Sequence, residues 1–435
     1  MKKRRRGVSA GTIVMLTLTA AVLAGFLAVM PSFTGHQDIR LDAAKLAVAM
    51  DESLSQLAAR SGDLMRSQPQ STILPPESLA TARPQSITST PAPVVTPVPK
   101  PSFTLCAAGS IEWNNTVRNA LTIDDAYRFD ILTDHITGAM NADLSFAVLN
   151  HTLAQSEKLD NRNMPSDILQ PLQAAGVNAL SIGHPDILSH GTDGLEQTAK
   201  AIYQTGIMPV GAGGGISLLP NGCSVMLLHY QDEFSSASRK QSTEEERMQT
   251  FAPIDMERIR ADIAAARENG AQVVIVSLYW GKEGAKQPTD EQIELAQQMA
   301  DAGADIILGA GSGVLQPVKL LSASRGDGKY HPVLCAYSLG SLFSHERETR
   351  FTLASLLLKT EVIYDPVTGC VAFENLAYTP TYAWRGKQDG RTLYRILIND
   401  PENIPDFVDD NQRSTMERSY TLVNEVMADS GIEMQ

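Results

Sequence analysis

Cysteine is scarce in this chain, and its spacing argues against two common kinds of site. The sequence has four cysteines, and none of them forms a C-x-x-C pair, so neither a zinc ribbon nor a thioredoxin-like redox motif is supported. Cys106 and Cys335 lie inside apolar, strand-like runs. We expect them to be small buried thiols, although a location outside the cytoplasm would permit disulfides.

The chain also lacks an excess of basic residues. Lys and Arg number 36 against 49 Asp and Glu, and the formal net charge is −13. Five of the basic residues are clustered at positions 2–6, so without them the chain carries a net charge of about −18. Binding nucleic acid requires clustered Lys and Arg to neutralise the phosphates. The composition therefore excludes a nucleic-acid partner.

Charged residues are absent from residues 7–35. The apolar centre of this stretch is long enough to cross a bilayer core, which takes about 20 residues as a helix. Because basic residues 1–6 should form a cytoplasmic tail, we interpret residues 7–35 as a transmembrane signal anchor. The protein would cross the cell membrane once, with its main domain extracytoplasmic. A cleaved signal peptide is the alternative, but its apolar core is usually only about 7–15 residues.

Two segments connect this stretch to the globular part. Residues 38–67 have apolar side chains near helical spacing and predict a juxtamembrane helix. This helix either forms a homodimer with a second copy or lies alone near the membrane. Residues 68–102 are rich in Pro, Ser and Thr, and they predict an extended linker because proline fixes φ and lacks an N–H donor.

From residue 103 onward, apolar strands alternate with helical patterns, which predicts an α/β domain. Residues 273–276 form a continuous apolar run that is typical of a strand covered on both faces. The candidate strands are residues 144–149, 177–182, 206–210, 223–229, 271–278, 305–308 and 333–339.

One helix start has a clear signal in the sequence. Thr289 and Gln292 match a capping box, in which each side chain accepts a hydrogen bond from the backbone of the other residue. The helix that follows would bury Ile293, Ala296 and Met299, which share one face at helical spacing.

The last part of the chain predicts a hairpin and a helix. Residues 353–358 and 371–378 are apolar strands on either side of an Asp-Pro-Val-Thr-Gly turn at 365–369. Ser414 and Glu417 match a capping box for the final helix.

A series of motifs resembles, in order, those of the CapA family of poly-γ-glutamate capsule synthesis proteins. The resemblance covers residues 103–384 and leaves residues 385–435 as a C-terminal extension with a helix. The matching segments, with the family's pattern in parentheses, are 108–110 (a strand ending in Gly-Asp), 149–152 (Asn-Leu-Glu), 181–191 (Asn-Asn-His, then Asp-Tyr-Gly), 279–283 (His-Trp-Gly-x-Glu), 303–317 (a turn with Gly-His-His-Pro-His), 338–343 (Ser-Leu-Gly-Asn-Phe) and 378–382 (a closing strand).

The resemblance implies a metallophosphatase-like fold with α/β/β/α layers, in which loops at strand ends hold two metal ions that activate water. Most of the family's metal ligands are replaced here. Ser110 stands at the Asp position, Thr152 at the Glu position, Tyr279 at the strand-end His, and Ala-Gly-Ser-Gly at 310–313 stands in the histidine turn. Because these residue types do not supply the usual ligands, the metal-site motifs are degenerate.

Some polar groups remain near the family's site positions. His184 and Asp186 could reach one ion, joined by His151 if its loop lies opposite; otherwise they are solvated residues of a cleft without ions. Trp280 either packs in the core or offers a stacking surface. We assign no catalytic residue. The candidate cleft residues are Ser110, Asn150, His151, His184, Asp186, His190, Tyr279, Trp280, Glu283 and Ser312.

The family's motifs are retained in order while most of its metal ligands are replaced. This combination favours a non-catalytic, membrane-anchored relative of the capsule assembly proteins that needs no cofactor. It would bind a cell-envelope polymer or a membrane-associated assembly protein, and its role in poly-γ-glutamate or capsule assembly is what the resemblance implies. An acidic body fits poorly with holding a polyanion, since like charges repel.

Two alternative functions stay open. One is a divergent metal-dependent hydrolase, phosphoesterase-like, with a divalent metal at a site rebuilt from Asn150, His184, Asp186 and Glu283. The other is a structural wall-spanning protein whose domain only spaces its partners.

Overall fold

A computed structural model of the protein describes residues 100–154, 159–347 and 349–434. The predicted basic tail, signal anchor and juxtamembrane helix lie outside the described residues, as does the linker up to residue 99. Within the described ranges, no helix combines the length and the apolar character that a bilayer span requires.

Strands make up most of the regular structure in the described part of the chain. They are β1 (Ser102–Ile111), β2 (Thr122–Ile123), β3 (Ala126–Tyr127), β4 (Leu144–Leu149), β5 (Thr152–Ala154), β6 (Asn163–Pro165), β7 (Ala179–Ser181), β8 (Met208–Val210), β9 (Gly215–Leu218), β10 (Val225–Gln231), β11 (Val273–Tyr279), β12 (Ile306–Ala310), β13 (Val318–Ala323), β14 (His331–Ala336), β15 (Ser341–Phe343), β16 (Ala354–Tyr364), β17 (Val371–Gln388), β18 (Arg391–Ile398) and β19 (Glu433–Met434).

Helices lie mainly between the strands. The described α-helices are α1 (Asn115–Ala120), α2 (Asp130–Thr133), α3 (Leu169–Ala175), α4 (Gly191–Gln204), α5 (Ser236–Gln241), α6 (Glu244–Thr250), α7 (Met256–Glu268), α8 (Asp290–Ala302) and α9 (Asp410–Met427).

Two mixed sheets organise these strands. The larger has the order β18-β17-β16-β1-β4-β7-β8, with β15 beside β1 and β19 beside β17, and the smaller has the order β13-β14-β12-β11-β10-β9. Strands β1, β4, β7 and β8 are parallel, as are β10, β11, β12 and β14. Parallel neighbours direct their carboxyl ends to the same edge of a sheet, so the loops that follow them are brought together.

The two sheets share one hydrophobic core between them. Because side chains alternate across a strand, Phe103 and Leu105 of β1 enter this core, where they join Ile275 and Ile306 of the smaller sheet. Cys106, the residue after Leu105, points to the other face and belongs to the core under the helices of the larger sheet.

Helices cover the outer faces of both sheets. On the larger sheet, Leu172 of α3 and Ile202 of α4 contribute to the outer core, and on the smaller sheet Ile263 of α7 and Met299 of α8 do the same. The two sheets and the helices that cover them thus form the four-layer α/β/β/α arrangement that the resemblance implied.

Several predictions from the sequence are confirmed. The predicted strand at 144–149 coincides with β4, and residues 273–276 lie within β11 with all four side chains buried. Thr289 and Gln292 form a capping box on α8. The four cysteines are free thiols, with all but Cys370 buried.

The predicted buried face of α8 is confirmed at Ala296 and Met299 and is wrong at Ile293. Ile293 is 46% exposed, whereas Gln292, Ala296, Met299 and Ala300 are buried. These four follow the i, i+4, i+7, i+8 spacing of one helix face. Gln292 is turned inward because its side chain closes the capping box.

Two predictions near the C-terminus are also wrong. The capping box of α9 is formed by Asp409 and Gln412, so the helix begins ahead of the predicted Ser414–Glu417 box. In addition, the predicted domain end at residue 384 lies inside β17, which continues to Gln388 and pairs with β18. The extension therefore contributes an edge strand to the larger sheet.

Candidate functional site

A cavity of 1420 Å³ lies where the carboxyl ends of strands from both sheets meet. The loops after β1, β4, β7, β10, β11, β12 and β15 all contribute residues to it. This edge is where open α/β sheets usually bind their ligands. The candidate residues from the sequence that line the cavity are Asn150, His151, His184, Asp186, Tyr279, Glu283 and Ser312.

The other three candidate residues do not line the cavity. Ser110 is buried behind the lining. His190 lies at the start of α4, where its Nδ1 is 3.0 Å from the Thr152 hydroxyl oxygen. Trp280 packs in the outer core of the smaller sheet, and its indole N–H donates to the Tyr337 carbonyl oxygen at 2.9 Å. The indole is therefore part of the core rather than a stacking surface.

Glu112 is a cavity carboxylate that the sequence analysis did not single out. Its Oε1 accepts hydrogen bonds from the Ser110 hydroxyl (3.0 Å) and the Asn150 amide (2.5 Å). Burial raises the pKa of Glu112, and these two hydrogen bonds partly oppose the rise. Its position two residues after Ser110 was the available signal, because residues at i and i+2 share one side of an extended chain.

His151 and His184 are buried imidazoles that line the cavity. Burial lowers the pKa of His151 to about 4 and that of His184 well below its usual value, so both rings are neutral near pH 7. His184 Nδ1 accepts a hydrogen bond from the Asp186 backbone N–H at 3.2 Å. Neither His184 Nε2 nor His151 Nδ1 has a hydrogen-bond partner among the described residues.

A third buried histidine, His229, supports the loop after β7 from behind. Its Nδ1 lies 3.1 Å from the Ser277 hydroxyl, and burial lowers its pKa to about 4. The backbone at Gly183 passes so close that a Cβ there would lie 1.8 Å from His229 Nε2. Glycine at position 183 is therefore required for this loop to bring His184 to the cavity.

The pKa of Tyr279, at the end of β11, indicates the sign of the charge in the cavity. Burial is the largest cause that raises the pKa of its phenol, and the carboxylates of Glu112, Glu283, Glu233 and Asp186 raise it further. Four acidic side chains from four different loops thus act on one hydroxyl, and the field in this part of the cavity is negative.

The glycine-rich turn after β12 is shaped by backbone contacts. Gly311 has a φ of 119°, and a Cβ there would lie 2.4 Å from the Trp280 carbonyl oxygen. The Ser312 hydroxyl donates to the Val314 carbonyl oxygen at 2.7 Å. The turn therefore keeps its shape through glycine and an internal hydrogen bond.

The side chains that line the cavity do not fit as ligands of the two metal ions that the resemblance implied. A metal-bound imidazole uses the lone pair of one nitrogen and donates a proton from the other. In His184 the Nδ1 lone pair already accepts the Asp186 N–H, so the proton of the neutral ring is on Nε2. Asp186 Oδ1 accepts from the Ser235 hydroxyl at 2.5 Å.

The rest of the described structure also lacks a set of metal ligands. Across residues 100–434, excluding the undescribed positions, no group of three or more His, Cys, Asp or Glu side chains is arranged to hold a metal ion. His151, His184 and Asp186 do converge on one cavity, as a rebuilt site would require, but the Asp186 backbone N–H already occupies the Nδ1 lone pair of His184 there.

Comparison with known families gives a match over more than half of the chain. The model of the family described as "Bacterial capsule synthesis protein PGA_cap" matches residues 104–346. The PGA biosynthesis protein CapA of Bacillus subtilis (strain 168) is 26% identical over 204 residues, which cover 45% of this chain and 50% of that protein. The capsule biosynthesis protein CapA of Bacillus anthracis is 23% identical over 249 residues, which cover 54% and 58%. The chain thus spans about half the length of these curated relatives.

Solved structures give a weaker likeness. A novel phosphatase from Mycoplasma pneumoniae has 12% sequence identity and a TM-score of 0.37, over 63% of this chain and 92% of that one. The calcineurin-like phosphoesterase YfkN from Bacillus subtilis has 13% identity and a TM-score of 0.38, over 75% and 99%. At such low scores the likeness carries no argument about activity.

Proposed function

Because the chain belongs to the bacterial capsule synthesis family PGA_cap, we propose that it is an extracytoplasmic, membrane-anchored assembly protein for a capsular or cell-envelope polymer. It binds the polymer, or a membrane-associated assembly protein, in the cavity at the strand ends and does not hydrolyse it. The anchor in this proposal is the uncharged stretch at residues 7–35, which lies outside the described residues.

The observation that carries this proposal is the large cavity whose polar groups hold one another in place. Glu112 is engaged by Ser110 and Asn150, and Asp186 is engaged by Ser235. Hydrogen bonds of this kind hold a rigid binding surface. A volume of 1420 Å³ exceeds the range of about 300–1,000 Å³ that is usual for small-molecule pockets, so it suits part of a polymer.

Complementation in cells tests this role. A strain of the source bacterium without the gene should lose the envelope polymer, and the full chain should restore it. Reversing two exposed charges of the cavity lining, Glu283→Lys with Glu346→Lys, should abolish restoration, because both side chains face the ligand. The matched control is Glu257→Lys with Glu268→Lys on the exposed face of α7, which should restore the polymer fully.

The outcome that contradicts the proposal is full restoration by the cavity variant, provided that immunoblots show equal amounts of both variants. Equal melting temperatures of the two purified full-length variants exclude unfolding as the reason for a loss.

A second candidate function is a metal-dependent hydrolase, and the convergence of His151, His184 and Asp186 on one cavity favours it. It would require His184 to release the Asp186 N–H, so that its Nδ1 becomes free to join the Nδ1 lone pair of His151 at the ion. Metal analysis of the full chain purified from medium with manganese, zinc and iron distinguishes the two. A stoichiometric metal, together with chelator-sensitive hydrolysis of a phosphodiester, would replace the binding role by catalysis.

A further inference from the structure

We propose that the cavity binds an amine-bearing glycan, a sugar polymer with free ammonium groups and hydroxyls, rather than a polyanion such as poly-γ-glutamate. This inference rests on the proposed function and names the ligand class of the same cavity. Three features of the described residues carry it: the charge of the lining, the unpaired nitrogens of the buried His151 and His184, and the continuation of the cavity into a second one.

The charge of the lining favours a cationic ligand. Five acidic side chains and two lysines line the cavity, and the acidic ones come from five separate loops. A polyanion entering this space would meet like charges at short range, whereas an ammonium group would be attracted. The acidic residues are Glu112, Asp186, Glu233, Glu283 and Glu346, and the basic residues are Lys282 and Lys286.

The unpaired imidazoles need both a donor and an acceptor from the ligand. His184 is 1% exposed, its Nδ1 accepts the Asp186 N–H, and the His151 carbonyl interacts with its ring. No described group meets hydrogen-bond geometry with its Nε2, which therefore has an N–H to offer a ligand. His151 is 8% exposed, and the carbonyls of Trp113 and Asn161 interact with its ring. Because its Nδ1 has no partner in the described structure, the proton lies on Nε2 and the Nδ1 lone pair is free.

A sugar hydroxyl satisfies both rings, because it donates one hydrogen bond and accepts others. A metal ion cannot accept the N–H of His184, and a carboxylate or a fully ionised phosphate cannot donate to His151. Leaving such buried groups without partners is unfavourable, so a ligand that pairs both gains specificity. Hydroxyls next to ammonium groups are the chemistry of an amino-sugar polymer.

The cavity is also continuous with a second one, so the two together offer more space than one small ligand needs. A second cavity of 220 Å³ shares Lys286 and Phe351 with the first and extends toward Leu422 and Glu425 of α9. The Lys286 ammonium lies 3.5 Å from the centre of the Phe351 ring at this junction. An extended polymer can occupy both cavities, with Glu425 in the second one available to a further ammonium group.

Calorimetric titration of the full chain, in detergent and at low salt, tests the ligand class. The probes are a chitosan hexamer, which has free amines, the fully N-acetylated hexamer, and a poly-γ-glutamate oligomer. We expect the chitosan hexamer to bind at least about tenfold more tightly than the acetylated one, and poly-γ-glutamate to show no binding. Replacing Glu283→Gln with Glu346→Gln should remove that preference, so that the two hexamers bind the variant with similar affinity.

The matched control is Glu268→Gln, an exposed carboxylate at the end of α7, which should keep the full preference. Equal affinity for the two hexamers, tighter binding of poly-γ-glutamate, or a preference that survives the double replacement would each overturn the proposal. So would stoichiometric binding of Mn²⁺ or Zn²⁺ alone that displaces the chitosan hexamer.

The titration and the complementation test of the proposed function can fail independently of each other. If the charge-reversed variant fails to restore the polymer in cells but the chitosan hexamer does not bind, the assembly role stands and the ligand class is wrong. If the hexamer binds as expected but that variant restores the polymer fully, the binding chemistry stands and the assembly role of the cavity is wrong.

Discussion

Glu112 shows, at the scale of one residue, how burial and hydrogen bonding act on a single carboxylate. Burial raises its pKa above the usual value of about 4.3. A carboxyl group whose pKa is higher in the folded state destabilises the fold at any pH where it is ionised there. This destabilisation is present at neutral pH and is lost as the pH falls through the folded pKa toward the unfolded one.

Replacing Glu112→Gln should therefore raise the free energy of unfolding at pH 7 by about 0.5–2 kcal/mol, the usual range of a stabilising substitution. The amide oxygen keeps the hydrogen bonds from Ser110 and Asn150 without the buried charge. Urea unfolding of the full chain at pH 7 and at about pH 4 measures the effect, and the difference from the wild type should vanish at the lower pH. A gain of equal size at both values would mean that packing, not charge, is responsible.

The position of Glu112 also marks a limit of the sequence. The Asn150 amide that engages it lies 38 residues away in the chain, and no local pattern connects the two. His184 and Asp186 could be singled out because they follow a motif, whereas their hydrogen bond to each other and the contact of Asp186 with Ser235 depend on how the loops fold.

At the scale of elements, the start of α9 is decided by contacts outside the helix. Both the Asp409–Gln412 pair and the Ser414–Glu417 pair match the capping-box pattern. The Gln412 side chain accepts from the Trp384 indole N–H (3.0 Å) and donates to the Arg385 carbonyl oxygen (2.8 Å). These two contacts attach the earlier box to β17, which explains why the helix begins there.

Replacing Asp409→Ala should lower the stability of the full chain by about 0.5–2 kcal/mol, because the N-cap side chain satisfies a backbone N–H at the helix start. Ser414→Ala is the matched control: it lies inside the helix and is exposed, so alanine should leave stability unchanged or raise it slightly. Thermal unfolding followed by circular dichroism measures both. The reverse order of effects would place the helix start at Ser414.

At the scale of the whole molecule, Asp305 connects the outer helical layer to the smaller sheet. Its carboxylate accepts hydrogen bonds from Arg267 (2.5 Å), from Arg325 (3.2 Å) and from the Val274 backbone N–H (2.8 Å). The carboxylate is buried, and its partners come from the end of α7, from β11 and from the turn after β13. One side chain thus joins three separate segments.

Replacing Asp305→Ala should destabilise the full chain by about 3–5 kcal/mol, since it leaves two partly buried guanidinium groups without their carboxylate. Asp130→Ala is the control, because Asp130 also pairs with an arginine, Arg128, but on the surface, where such pairs contribute little. Urea unfolding should separate the two variants clearly. An effect of Asp305→Ala as small as that of Asp130→Ala would contradict the joining role.

The sequence by itself determined the order of strands and helices and most of what they bury. The apolar run at 273–276 and the box at Thr289 and Gln292 depend on local spacing, which remains the same in the fold. The strand at 391–398 was missed although the sequence carries a signal for it, because Asp389 and Gly390, with φ of 50° and 76°, form the two-residue turn of its hairpin with β17.

Only the tertiary structure decided the chemistry of the cavity. The sequence showed which metal ligands were replaced, since replacement is visible at each position alone. It could not show that Glu112, Glu233 and Glu346 would join Asp186 and Glu283 around one space, because five separate loops bring them there. Local structure depends on neighbours in the chain, whereas the charge of a cavity and the unpaired nitrogens of its histidines depend on neighbours in space.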